Sequence, residues 1–181
     1  MWGVDGNSFK KRVSYNIKTW KIIKLRKGLY VLSSFIDDLD FQDIFSLANI
    51  IYTPSYISYE TVTQKEWLTF QDYNRIFVAS NYTKEINISK LELDIEFIKL
   101  PEWLLLEPIG LVNKWNYTIA TPERAVCDIL YRSGNYYFDN LESINWKLLE
   151  EIWEVYSNYK KKVYKLVLLL KKQHEQMAEY S

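Results

Sequence analysis

Eight of the 23 Lys and Arg side chains fall within the first 30 residues: Lys10, Lys11, Arg12, Lys18, Lys21, Lys24, Arg26 and Lys27, against the single acid Asp5. This block carries a net +7. The remainder, with 15 Lys/Arg and 22 Asp/Glu, carries −7, so the formal net charge of zero conceals two blocks of opposite sign. Cations at that density serve to hold a polyanion, and the acidic remainder must do something else. Other chemistry-bearing residues are sparse. One cysteine, Cys127, and one histidine, His174, cannot build a Cys/His metal site. Cys127 lies in an amphipathic pattern with no histidine nearby in sequence, which predicts a core thiol. His174 reads as a surface residue. Glu92, Asp94 and Glu96 alternate along one strand face, the pattern of a solvated face. There is no phosphate loop and no dinucleotide fingerprint. The expectation is a chain that is not an enzyme, with no catalytic residue, metal or cofactor.

The elements that must position the cations follow from periodicity. Residues 8–20 read as a helix, with Ser8 as N-cap and Phe9, Val13, Ile17 and Trp20 as one apolar stripe. Lys11, Ser14, Tyr15 and Lys18 occupy the opposite face. Lys10, Lys11 and Arg12 crowd the first turn, where the helix dipole disfavours cations by roughly 0.3–1 kcal/mol each. Lys21–Leu25 and Leu29–Leu32, joined by Arg26-Lys27-Gly28, read as a β-hairpin with Gly at a positive-φ turn position. A basic helix followed at once by a basic hairpin is the second half of a winged helix-turn-helix. In that arrangement the helix enters the major groove and the wing lies on the backbone. Lys24, Arg26 and Lys27 would meet phosphates, and Lys11, Ser14, Tyr15 and Lys18 base edges. With Lys10 and Arg12, these nine residues form the predicted DNA-binding set.

The acidic joint Asp37-Asp38-Leu39-Asp40 places a module boundary near residue 36, giving a partial winged helix over 1–36 and a mixed α/β body over 37–181. The body pattern predicts helices over Phe41–Tyr52 and Ser58–Thr69, with Ile57, Val62 and Trp67 in the core. Strands are expected at Arg75–Ser80, Glu85–Ile88, Leu91–Phe97 and Trp115–Ala120. Thr121-Pro122-Glu123 starts a further helix: Thr as N-cap, Pro at the first position, an acid in the first turn. One long helix from about 144 to 177 closes the chain. The expected class is α+β, with a small, mainly antiparallel sheet.

At 181 residues with 48% hydrophobic content, the chain has enough apolar mass for a core, and few Pro or Gly for linkers. A single cysteine excludes an internal disulfide and suggests a reducing compartment. The basic start lacks a secretory apolar region, and the apolar run Leu166–Leu170 is too short for a bilayer. The Asn-x-Ser/Thr triplets at Asn81, Asn87 and Asn116 then read as chance matches. These features predict a cytoplasmic protein without a membrane partner.

Leu25–Leu32, Ser46–Asn49 with Pro54–Thr61, and Ile119–Tyr131 together resemble segments of the AbiEi family, the antitoxins of AbiE-type abortive-infection (type IV toxin–antitoxin) systems. Leu25-Arg26-Lys27-Gly28-Leu29-Tyr30-Val31-Leu32 resembles the family's wing. Ser46-Leu47-Ala48-Asn49, followed by Pro54-Ser55-Tyr56-Ile57-Ser58-Tyr59-Glu60-Thr61, is similar to its next block. Ile119 to Tyr131, with Thr121-Pro122-Glu123-Arg124-Ala125-Val126-Cys127-Asp128 inside it, is similar to a third. The blocks keep the family's order over about residues 8–132. The resemblance implies a winged-helix domain that binds inverted repeats at its own promoter, and a body that counteracts a nucleotidyltransferase-like toxin. A stable antitoxin–toxin complex is not required, and a homodimer is possible. Arg26, Lys27 and Tyr30 belong to the wing, whereas capping alone accounts for Thr121, Pro122 and Glu123.

The chain departs from the family at its start. Two helices normally precede the recognition helix, and only seven residues do so here, which reads as a shortened N-terminus. The stripe Phe9/Val13/Ile17/Trp20 is then expected to pack on the acidic body or another subunit, and a monomer to bind operator DNA weakly. Two other readings compete. One is an interaction protein whose basic end docks on protein rather than DNA. The other is an enzyme acting on nucleotides or RNA through Glu92, Asp94 and Glu96.

Overall fold

The computed structural model describes residues 6–71, 73–134, 136–157, 165, 167–172 and 174–175. It is α+β. Helix α1 (Gly6–Lys18) leads into the antiparallel hairpin β1 (Ile22–Arg26) and β2 (Leu29–Leu32), then the short α2 (Ser33–Ile36) and α3 (Phe41–Ile51). A six-stranded sheet follows. It is built from β3 (Ser55–Ile57), β4 (Arg75–Ser80), β5 (Lys84–Ile88), β6 (Leu93–Lys99), β7 (Leu111–Asn113) and β8 (Thr118–Ala120), in the order β5-β6-β4-β3-β8-β7. Between these strands lie α4 (Glu60–Lys65) and α5 (Glu102–Leu105), and after them α6 (Pro122–Ser133) and α7 (Trp146–Ser157). The sheet is mixed rather than mainly antiparallel, and not small: β3–β8 and β4–β6 pair parallel, the other neighbours antiparallel.

Local chemistry accounts for the element ends. Asp40 and Asp43 form a reciprocal capping box on α3: Asp43 N donates to Asp40 Oδ1 at 2.8 Å and Asp40 N to Asp43 Oδ2 at 3.3 Å. The acidic joint is therefore a helix start. On α6, Thr121 Oγ1 accepts from Arg124 N, Pro122 follows the cap, and Gly134 closes the helix at φ 71°. In β6, Leu93, Ile95 and Phe97 point into the core while Asp94 and Glu96 point out, as the alternation predicts. The hairpin is docked on the body: Leu25 and Ile36 are buried in the same core as the sheet. Lys90 Nζ holds the Ser33 carbonyl at 2.9 Å and Asp37 Oδ2 at 2.5 Å.

Several expectations are corrected. α1 already runs at Gly6, so Ser8 lies inside its first turn rather than capping it, and Lys10–Arg12 fall beyond that turn, where the dipole penalty has faded. The helix expected over Ser58–Thr69 is only α4, because Tyr59 stands at φ 54° just before its start and Trp67 at φ 60° just past its end. Trp67 lies past its end, at φ 60° and 69% exposed, not in the core. The strand expected from Leu91 begins at Leu93, since Glu92 adopts a left-handed conformation after a turn of 3-10 helix. Trp115–Tyr117 form the turn between β7 and β8 rather than strand.

The single helix over 144–177 does not form. Lys171 Nζ lies 2.7 Å from Glu150 Oε1, and the rings of Trp146 and His174 are 5.3 Å apart. Along one straight helix, residues 150 and 171 would be about 31 Å apart. The helical residues 165, 167–172 and 174–175 therefore fold back on α7, and Val167 and Leu170 join the core; residues 158–164, 166, 173 and 176–181 lie outside the described set, as do residues 1–5. Among the described residues, no helix is long and apolar enough to cross a membrane.

Candidate nucleic-acid interface

α1 passes into the hairpin through a Schellman turn. Trp20 N donates to the Ile17 carbonyl at 3.1 Å and Lys21 N to the Asn16 carbonyl at 2.9 Å, with Trp20 left-handed at φ 55°. Glycine is the usual occupant of that position, since a Cβ clashes there. The Ser33 N–H then donates to the Lys21 carbonyl at 3.0 Å, fixing the base of the hairpin. Gly28 turns the hairpin tip at φ 82° with open space around it. Lys24 pairs across the strands with Tyr30. Both point away from the body, while Leu25 points into it.

All nine predicted residues are exposed: Lys10, Lys11, Arg12, Ser14, Tyr15 and Lys18 on α1, and Lys24, Arg26 and Lys27 on the hairpin. From Gly6 to Ile36 there is no acid at all. Among the described residues, no ion pair reaches any of these cations. Arg26 is the exception in its orientation. Its Nε donates to the Ile51 carbonyl at 2.5 Å, its Nη1 donates to the Lys27 carbonyl at 3.3 Å, and its guanidinium lies 5.9 Å over the Tyr52 ring. The apolar stripe is only partly covered. Val13 and Ile17 are half-buried, whereas Phe9 and Trp20 remain 60% and 64% exposed, so of the two expected partners, the acidic body or another subunit, the body does not cover these two rings.

The outward carboxylates of β6 are occupied by a cation. Arg75 Nη1 donates to Glu96 Oε2 at 2.6 Å, and its Nη2 to Glu85 Oε1 at 2.9 Å and Asp94 Oδ2 at 3.4 Å. Glu92 is not aligned with them, lying in the turn before the strand. Cys127 is fully buried, and burial pushes its thiol well above the ordinary range. His174 is half-buried against Trp146. Among the described residues, no group of three or more His, Cys, Asp or Glu is placed to hold a metal. A cavity of about 820 Å³ opens between α3, α4 and β4, walled by Phe41, Phe45, Trp67, Phe70 and Tyr73. Its two cations, Lys65 and Arg75, are already paired with acids.

Sequence reasoning missed a sealed polar hub in the body. Arg124 and Asp128, one turn apart on α6, are both fully buried, with Nε 3.7 Å from Oδ1. Asp128 accepts from Ser58 Oγ at 2.5 Å, Tyr156 OH at 2.5 Å and Tyr56 OH at 3.1 Å. Arg124 donates to the carbonyls of Leu104 at 2.6 Å and Ile109 at 2.9 Å and to Tyr56 OH at 3.1 Å. Burial opposes the charge on Arg124, but Tyr156, Asp128 and Tyr56 hold its pKa above the ordinary value. Burial raises the Asp128 carboxyl above its ordinary range, against the pull of Arg124 and the three hydroxyls. Beside the hub, Arg132 covers the rings of Tyr59 and Phe77 and pairs with the buried Glu60. Glu123 Oε1 accepts from Asn145 N at 2.9 Å, so the acid expected only to cap α6 also holds the start of α7. The one available signal was Arg and Asp at i, i+4, which on most helices is an exposed pair.

No protein-family model matches the sequence, and no curated protein matches it.

Proposed function

We propose that the chain is an AbiE-type antitoxin that represses its own operon. In this reading α1 and the β1–β2 hairpin act as recognition helix and wing of a partial winged helix on operator DNA. The rest of the chain counteracts a nucleotidyltransferase-like toxin in the cytoplasm, without catalysis or a cofactor. One observation carries the proposal: from Gly6 to Ile36 the chain has eight Lys/Arg and no acid, and the nine predicted contact residues are all exposed on adjoining elements. A phosphate backbone is the complementary surface. Lys24 and Lys27 reach phosphates from the hairpin, Arg26 does so on leaving the Ile51 carbonyl, and Lys11, Ser14, Tyr15 and Lys18 address base edges. Inverted repeats would call for two copies related by a two-fold axis.

The two body segments that resemble the family, around Tyr56 and around Asp128, meet in the hub. That placement supports a structural role for them. A gel-shift series against the chain's own upstream region tests the DNA reading. Affinity is expected to fall steeply with salt as counterions are released, with preference over random duplex. Equal binding to both duplexes at moderate salt rules out operator recognition.

A second reading is favoured by the bonds that tie the basic end to the body, Arg26 to Ile51 and Lys90 to Ser33. There the basic end docks on protein and only the body acts. It expects toxin neutralisation to survive replacement of Lys11, Lys18, Arg26 and Lys27 by Ala.

A further inference from the structure

We propose that the aromatic cavity of the body is a docking site for α1 of a second copy of this chain, entered by Phe9 with Lys10 and Arg12 on either side. The inference needs no nucleic acid and stands apart from the operator reading. The cavity, about 820 Å³, falls in the size range of binding pockets. Three of the rings that share its wall are mostly exposed: Phe41 at 76%, Trp67 at 69% and Phe70 at 65%. Three large rings open to solvent around one hollow mark a binding surface. Polar groups of the wall are already engaged. Thr61 Oγ1 accepts from Phe77 N at 2.7 Å, Thr69 Oγ1 lies 3.1 Å from Thr63 Oγ1, and Asn74 Nδ2 donates to the Glu92 carbonyl. Apolar contact is therefore what the hollow offers.

The charge around the cavity selects the occupant. Glu85, Asp94 and Glu96 share Arg75, and Glu66 pairs with Lys65. Asp139 Oδ2 accepts from Phe70 N at 2.8 Å, and Asp40 and Asp43 cap the helix that Phe41 begins. Carboxylates thus outnumber the two cations of the wall, and an apolar segment with cations and no acid is the complement. The chain carries one. α1 has Lys10, Lys11, Arg12 and Lys18 and no acid. Phe9, Val13 and Ile17 follow at four-residue spacing and make one stripe. Lys10 stands three residues from Val13 and Arg12 three from Phe9, so both cations border that stripe. Phe9 is 60% exposed, and among the described residues none of α1 lines the cavity of its own chain. Exchanged reciprocally, two such contacts close a two-fold dimer.

The test is self-association of the full chain, freed of nucleic acid, followed by sedimentation velocity at about 1 to 100 μM. F9D makes the stripe acidic and F41R makes the cavity basic; both residues are exposed, so thermal stability is expected to hold. F70R, at a second exposed ring of the cavity, is read beside F41R so that the result does not rest on the folding of one variant. The parent is expected to associate, more weakly as salt rises, and each variant alone about tenfold more weakly than the parent. An equimolar mixture of F9D and F41R is expected to regain association, because the new acid of one faces the new cation of the other while the reverse contact is intact. A parent that stays monomeric overturns the inference and leaves the cavity to a small molecule or another protein. Variants that associate like the parent overturn it, since the contact then lies elsewhere. A mixture that stays dissociated overturns it too, since the stripe and the cavity then do not face each other.

Discussion

Replacing Arg124 by Met tests whether the sealed hub holds the body together. The substitution keeps the aliphatic stem and removes the guanidinium. It strips the Leu104 and Ile109 carbonyls of donors now at 2.6 and 2.9 Å, and it leaves Asp128 buried without its cation at 3.7 Å. An orphaned buried acceptor costs about 1–3 kcal/mol, and breaking a buried ion pair from one side costs about 3–5 kcal/mol. These terms overlap, so the expected loss is about 4 kcal/mol, a large part of a total stability of roughly 5–15 kcal/mol. For a chain of this length that corresponds to a fall in Tm of roughly 10 °C. Urea unfolding followed by far-UV circular dichroism measures it. The double variant R124M/D128L replaces both charges with apolar bulk and is expected to lose less than the two single variants combined, by more than about 1 kcal/mol. A loss below about 1 kcal/mol for R124M, or strict additivity in the cycle, would refute the reasoning.

Two further outcomes follow from the same region and its neighbours. Burial raises the Asp128 pKa, so the folded chain holds that proton more tightly than the unfolded chain does. Its contribution is therefore full below the ordinary carboxylate value and is lost as pH rises through the higher folded value. The wild type should gain on D128N as pH falls from 7 towards 4, and urea midpoints that converge instead would contradict the assignment. Gly110 and Gly28 share a positive φ but not their surroundings. A Cβ at Gly110 would lie 2.6 Å from Ile152 Cδ1 and 2.9 Å from the Arg124 Cβ, whereas one at Gly28 meets nothing within 4 Å. G28A should cost about 1–2 kcal/mol for conformation alone, and G110A a further 1–3 kcal/mol or so for overpacking. Equal losses in chemical denaturation would reject the distinction.

What the sequence makes legible is local. Thr121-Pro122-Glu123 specifies the start of α6 because the cap and the fixed proline φ act within four residues. The alternation in β6 and the glycine of the hairpin are equally short-range. What stays hidden depends on partners far along the chain. β3 is three residues long and buried, and its parallel neighbour β8 arrives about 60 residues later. Nothing near Ser55 announces it. The fold-back after α7 is hidden because the residues on either side carry the same helical period, so the apolar stripe reads as one continuous helix. Trp67 reads as core by residue type, yet a left-handed helix end turns it outward. Among the candidate site residues, the cationic character of α1 and the hairpin is plain from composition. The anchoring of Arg26 to Ile51 is not, since it joins residues 25 positions apart.

That anchor makes the hairpin a lever with its fulcrum at Ile51. The guanidinium of Arg26 is shared between the tip of the basic end and the last turn of α3, the helix whose first turns supply Phe41 and Phe45 to the aromatic cavity. A polyanion that draws Arg26 outward must take its donor from the Ile51 carbonyl and its charge from the face of Tyr52. The anion-facing end of the chain and the aromatic cavity therefore share one helix, held at its last residue by Arg26 and lining the cavity from its first turns.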